Sequence, residues 1–136
     1  MGSTAEKYGF RLGRLLISVI FILSGIGKLT SFAATAAMMS SAGIPLAKLA
    51  LVITLFVEIG GGLMVLTGFG ARYATIVMAL WLIPVTLTFH NFWAFQGEVR
   101  MEQTINFLKN LAIMGGLIAV ASKSRSVSAA RATSGA

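Results

Sequence analysis

No cysteine occurs among these 136 residues, and there is only one histidine. The first absence excludes disulfides, thiol redox chemistry, cysteine-ligated iron–sulfur clusters and covalently attached c-type haem. The second means that one copy of the chain cannot build a bis-histidine haem site. No haem or iron–sulfur cluster is therefore expected within a single chain. Charge is scarce too, at 11% of residues, and unbalanced, with eleven Lys and Arg against four Asp and Glu for a formal net charge of +7. A pI near 10.7 raises the question of nucleic acid. The basic residues, however, flank apolar segments and form no dense run, so topology and anionic lipid account for them and no nucleic acid is expected.

What the chain has in excess is hydrophobicity, at 57% of residues and a mean hydropathy of +0.87. A soluble domain of this length could bury an ordinary core with far less, so the surplus faces something other than water. Four apolar runs stand out, over residues 12–29, 49–69, 73–95 and 103–121. Each approaches the roughly 20 residues that a bilayer-crossing helix needs. The expected fold is all-α, an integral membrane four-helix bundle over residues 12–121. A short N-terminal segment (1–11) precedes it and a mobile basic tail (122–136) follows. Residues 32–42, rich in Ala and Met, predict a short amphipathic helix at the surface between the first two spans, stopped by Gly43 and Pro45. Gly68 and Gly70 mark a tight turn between spans two and three. Short connections make spans two, three and four sequential antiparallel neighbours.

Lys7, Arg11, Arg14, Arg72, Lys123, Arg125 and Arg131 fall on one side of these spans, against Lys28, Lys48 and Arg100 on the other. The positive-inside bias puts both termini in the cytoplasm of a multi-pass inner-membrane protein. A cleaved signal peptide is the competing reading of the N-terminus, with Ala34-Thr35-Ala36 as its site. That site lies too far beyond the apolar core of the first run.

Ionisable groups inside spans are costly and mark sites by default. Glu58 interrupts the second run near its middle, and Lys109 lies one to two turns into the fourth. On helical spacing Ser18, Gly25 and Lys28 share a face of span one, and Thr54, Glu58 and Gly61 or Gly62 one of span two. Thr86, His90 and Trp93 align on span three, and Gln103, Asn106 and Asn110 on span four, with Lys109 beside them. These faces predict an outward-opening polar pocket with Glu58 at its floor and Lys28, His90, Lys109 and Asn110 above it. The bland readings are a structural Glu58–Lys109 ion pair, a snorkelling Lys28 and interhelical bonding by Asn106 and Asn110. His90 has no second histidine beside it, and no metal site is expected. Gly60-Gly61-Gly62 and Gly115-Gly116 lack the strand and the Lys-Ser that a phosphate loop requires. They read as close-packing positions, with Ala112 and Gly116 forming a small-x-x-x-small face. Pro84 predicts a kink in span three.

Several fragments together resemble the DoxX family of small bacterial membrane proteins: SGIGKL at 24–29, AGIP at 42–45, EIGGGLMVLTG at 58–68, FHNFW at 89–93 and FLKNLAIMGGL at 107–117. The resemblance runs from Arg11 to Ala121. It implies a four-helix inner-membrane protein and a link to membrane oxidoreductases, the family being named from a subunit associated with a thiosulfate:quinone oxidoreductase. It also points to Lys28, Glu58, His90, Lys109 and Asn110 as the motif positions.

The leading expectation is a membrane subunit of a redox system, which holds a quinone-like lipophilic molecule and docks an oxidoreductase partner. If the chain is an enzyme at all, it is then a quinone-linked oxidoreductase subunit. A noncatalytic membrane scaffold and a small-solute permease are the alternatives. The permease would need a homo-oligomer to enclose a path. The charge distribution carries the first test. Reporter fusions after Gly70 and at Ala136 are expected to report cytoplasm and a fusion near Gly97 the opposite side; the reverse pattern would overturn the orientation.

Overall fold

Residues 2–135 are described by a computed structural model in which all regular structure is helical. Helix α1 (Thr4–Thr30) starts at a capping box, the Ser3 hydroxyl accepting from the Glu6 amide and the Glu6 carboxylate accepting from the Ser3 amide. Two orphan donors of the first turn are thereby satisfied. Ser31 ends α1 and begins α2 (Phe32–Ser41), so the chain turns sharply there. The expected short helix is present, and its Thr35, Ala36 and Met39 are buried. Ala36 and Met39 pack with Leu51 of α3.

Helix α3 (Ala47–Leu55), a π-helical segment (Phe56–Gly60) and α4 (Gly61–Thr67) form one continuous span. After the turn at Gly68 and Gly70 comes α5 (Ala71–Phe89), which contains Pro84. A 3-10 turn (Phe92–Ala94) then leads to α6 (Gly97–Ser134). Sequence places the fourth run at 103–121, whereas α6 begins six residues before it and carries its helical backbone through the polar tail. Ala, Ser, Lys and Arg there extend a helix already nucleated by the span, which costs little.

The molecule is apolar on the outside. Leu16, Leu23, Phe56 and Leu80 are each more than 60% exposed, and at most a third of any span is buried within the chain. Such a surface is matched by lipid and not by water. Inside lies a compact core of Phe21, Val65, Ala74, Met78, Leu82 and Leu117, to which all four spans contribute.

Glycines set the approach of the spans. A Cβ on Gly25 of α1 would run into the Ile59 side chain, one on Gly62 would come within 2.8 Å of Ile22, and one on Gly61 within 2.7 Å of Met78. Gly25 therefore lies against the π segment and Gly62 against Ile22, which fixes an antiparallel register between α1 and the second span. On α6 the small-residue reading applies to Gly116, where a Cβ would lie 2.9 Å from Ile17, while Gly115 faces open space. Gly25→Val is expected to lower stability by about 1–3 kcal/mol through overpacking. Gly115→Ala should leave it unchanged or raise it by up to about 1 kcal/mol through helix propensity. Thermal unfolding of both variants in detergent checks the contrast.

Candidate functional site

Glu58 is the third residue of the π-helical segment, and its side chain is only 10% exposed. A π turn wedges one extra residue into a helix, re-aims the side chains around it, and recurs at functional positions. Here it carries the one acidic side chain of the second span. Lys28 Nζ lies 3.1 Å from both carboxylate oxygens and also donates to the Ser24 hydroxyl one turn earlier. This is the only ion pair among the described residues, and the Lys28 side chain is 30% exposed.

Two cavities adjoin at this pair. The smaller, about 200 Å³, is lined by Lys28, Glu58, His90, Lys109 and Asn110 together with apolar residues such as Phe21, Leu82 and Ile113. All five sequence-predicted positions thus come together around one space. The larger, about 640 Å³, shares Lys28, Glu58, Val85 and His90 and extends under α2 along Thr35, Met38 and Met39. Its walls include Ala50, Thr54 and Glu58, spaced four apart on the second span, and Trp81, Pro84, Val85 and Thr88, spaced three and four apart on α5. These are one face of each helix.

His90 caps the C-terminus of α5, and its Nδ1 lies 2.9 Å from Gln103 Oε1 on α6. With the Gln103 oxygen accepting, the ring proton sits on Nδ1 and Nε2 is left as an acceptor. Asn110 Nδ2 donates to Thr86 Oγ1 at 3.0 Å, both residues buried, which fastens α6 to α5. The interhelical-bonding reading of Asn110 therefore holds while the residue also lines the smaller cavity. Asn106 accepts from Lys109 Nζ at 3.0 Å and lines the larger one.

Three expectations are corrected. The partner of Glu58 is Lys28, not Lys109, because the α1 register set at Gly25 brings Lys28 beside the π segment, whereas the Lys109 ammonium is held by Asn106 one turn back on its own helix. Lys28 accordingly turns into the bundle and does not snorkel at the rim. Trp93 does not continue the Thr86–His90 stripe, since α5 stops at Phe89 and the 3-10 turn places the Trp93 ring edge-on to Phe92 and Phe107.

Sequence reasoning also missed Trp81. Its Nε1 is buried without a hydrogen-bond partner in a residue that lines the larger cavity. A buried indole N–H ordinarily finds an acceptor. The available signal was the helical spacing of Trp81 with Pro84, Val85 and Thr88.

The model of the DoxX family matches residues 9–91, which takes in Lys28, Glu58, Trp81 and His90. The chain belongs to the DoxX family. It is 36% identical to the inner membrane protein YqjF of Escherichia coli K12 over 116 residues, which is 85% of this chain and 84% of YqjF. It is 27% identical to the inner membrane protein YphA of the same organism over 110 residues, which is 81% of this chain and 79% of YphA. No solved structure matches it at a significant level. With four spans and inner-membrane relatives, this DoxX protein is a multi-pass inner-membrane protein.

Breaking the pair should be costly because the remaining charge stays in the bundle. A fully buried pair loses about 3–5 kcal/mol when one partner is removed, and the exposure of Lys28 reduces this to about 2 kcal/mol for Glu58→Gln or Lys28→Met. A double-mutant cycle over these two positions is expected to show coupling of about 1 kcal/mol or more. The corresponding cycle of Glu58 with Lys109 should be additive within about 0.5 kcal/mol, and unfolding in detergent measures both.

Proposed function

We propose that this DoxX protein is a membrane subunit of a redox system, which holds a quinone-like lipophilic molecule in the 640 Å³ cavity and docks an oxidoreductase partner. The observation that carries this reading is the unpartnered Trp81 Nε1–H in a cavity whose floor holds the Lys28–Glu58 pair. A cavity of a few hundred cubic ångströms with mostly apolar walls and a few convergent polar groups is the usual form of a small-molecule site. A quinone ring has apolar faces for Met38, Met39, Ile44 and Phe89, which line this space. Its carbonyl oxygens accept hydrogen bonds from an indole N–H or an ammonium. In the tautomer that Gln103 favours, the His90 Nε2 accepts, which suits the hydroxyl of a reduced quinol. In this reading Glu58, held by Lys28, exchanges a proton with the bound molecule. Without cysteine and with one histidine, the chain leaves electron supply to its partner.

The scaffold reading has one specific observation in its favour, because the Lys28–Glu58 and Thr86–Asn110 contacts already satisfy one another without a ligand. Tryptophan fluorescence separates the two. The chain has two tryptophans, so Trp93→Phe leaves Trp81 as the only reporter. Saturable quenching of that variant by a short-chain quinone analogue in detergent is expected. His90→Ala should weaken it about tenfold through the loss of one or two net hydrogen bonds. Absence of saturable binding in folded protein across a range of quinone analogues would remove this reading and leave the scaffold in its place.

A further inference from the structure

At the opposite end of the bundle, beyond the Phe21–Val65–Met78–Leu117 core from Glu58, lies a cavity of about 820 Å³. Among the described residues three arginines line it: Arg11 and Arg14 from α1, and Arg72 from the first turn of α5. Among the described residues no carboxylate lines it. Glu6, the one acid near this end of α1, is occupied by the capping box, and Glu58 is taken by Lys28. None of the three guanidinium groups has an ion-pair partner among the described residues.

Arg14 is already positioned. Its Nη2 donates to the Leu66 carbonyl at 3.0 Å, and its guanidinium carbon lies 5.7 Å from the centre of the Phe10 ring. The group also lies against Gly68, where a Cβ would come 2.7 Å from Nη1 and where φ is +87°. Arg14 Nε is buried and has no hydrogen-bond partner. Beside it, Gly70 supplies no side-chain cap to α5, so the amides of that first turn have no side-chain acceptor, and the turn itself lines the cavity. Unmatched positive charge, a free guanidinium N–H and an uncapped helix start all call for the same thing, an acceptor-rich anion.

We propose that this cavity binds a phosphate-bearing anion, either the headgroup of an anionic phospholipid or a free phosphate. Arginine forks match phosphate oxygens in geometry as well as in charge. Basic pockets between spanning helices take anionic lipid headgroups in this way. The rim carries Phe69 and Tyr73, 83% and 72% exposed, beside the arginines. Such aromatic groups sit at the level of lipid headgroups and leave an apolar path for acyl chains. The site is independent of the quinone reading and lies at the other end of the bundle.

Native mass spectrometry of the full chain in detergent, titrated in separate arms with phosphatidylglycerol, phosphatidylcholine and inorganic phosphate, tests it. Phosphatidylglycerol retained in preference to phosphatidylcholine is expected, and Arg11→Gln with Arg72→Gln should weaken it about twenty-five-fold, at about fivefold per arginine. Arg14 stays intact in that variant because it also bonds Leu66. Arg72→Gln alone, expected to weaken binding about fivefold, serves if the double variant does not fold. Lys48→Gln with Arg100→Gln, outside the cavity, should leave binding unchanged. Displacement of the lipid by inorganic phosphate, or retention of phosphate alone with the same arginine dependence, assigns the site to free phosphate. Retention of neither anion overturns the proposal, as do equal binding of both lipids and undiminished binding in the arginine variants.

Discussion

An ionised carboxylate in the middle of an apolar bundle has to be neutralised or paired, and the rest of this structure is arranged so that Glu58 is paired. The pairing requires α1 and the second span to run close enough for a lysine to reach across. Gly25 and Gly62 permit that approach, with Ile59 and Ile22 filling the space a Cβ would take. Ser24 supplies a further acceptor for the ammonium. In lipid there is no hydrophobic force between helices, so close backbone packing and polar contacts have to hold them together. Here the two devices lie at one level of one interface, and the π segment turns the carboxylate toward the lysine.

The fold was legible because the bilayer sets a length scale that composition alone reveals. Runs of about twenty apolar residues separated by glycine turns leave few alternatives. Glu58 was legible for the same reason, as the one charge in its run. Its partner was not. Both Lys28 and Lys109 lie within helices facing the interior, and the choice between them depends on the register of α1 against the second span. That register is set by which glycine meets which isoleucine, a three-dimensional match that periodicity does not contain. The π segment was hidden as well, because its one-residue insertion is a compromise between hydrogen bonding and packing and leaves no composition of its own. Trp93 was misplaced by extrapolating helical spacing beyond the point where α5 stops.

The two ends of the bundle differ in chemistry in a way that follows from where the four acids sit. Glu58, Glu98 and Glu102 belong to the half that contains the Trp81–His90 cavity, and Glu102 lines that cavity. Only Glu6 lies toward the other end, and its carboxylate closes a helix cap. One half can therefore offset its lysines internally. The other accumulates arginine with no ion-pair partner among the described residues, a compensation that the proposed anion would supply. The uneven distribution of charge thus differentiates the two cavities.

Between the two ends lies the core, and its position bears on transport. Phe21, Val65, Met78, Leu82 and Leu117 come from all four spans and meet as one cluster. Phe21 and Leu82 also form part of the wall of the 200 Å³ cavity beside Glu58. In sequence each core position falls between the arginine level and the Glu58 level of its own helix: Phe21 between Arg14 and Lys28, Val65 between Glu58 and Gly68, and Met78 between Arg72 and Pro84. A solute passing from one cavity to the other through a single copy would have to cross this packed apolar layer, where Leu117 and Val65 have no exposed surface at all. Close-packed interiors do not open a polar path by small adjustments. The bundle holds cavities at its two ends separated by this layer, an arrangement that suits the two binding roles proposed above better than conduction through a single copy.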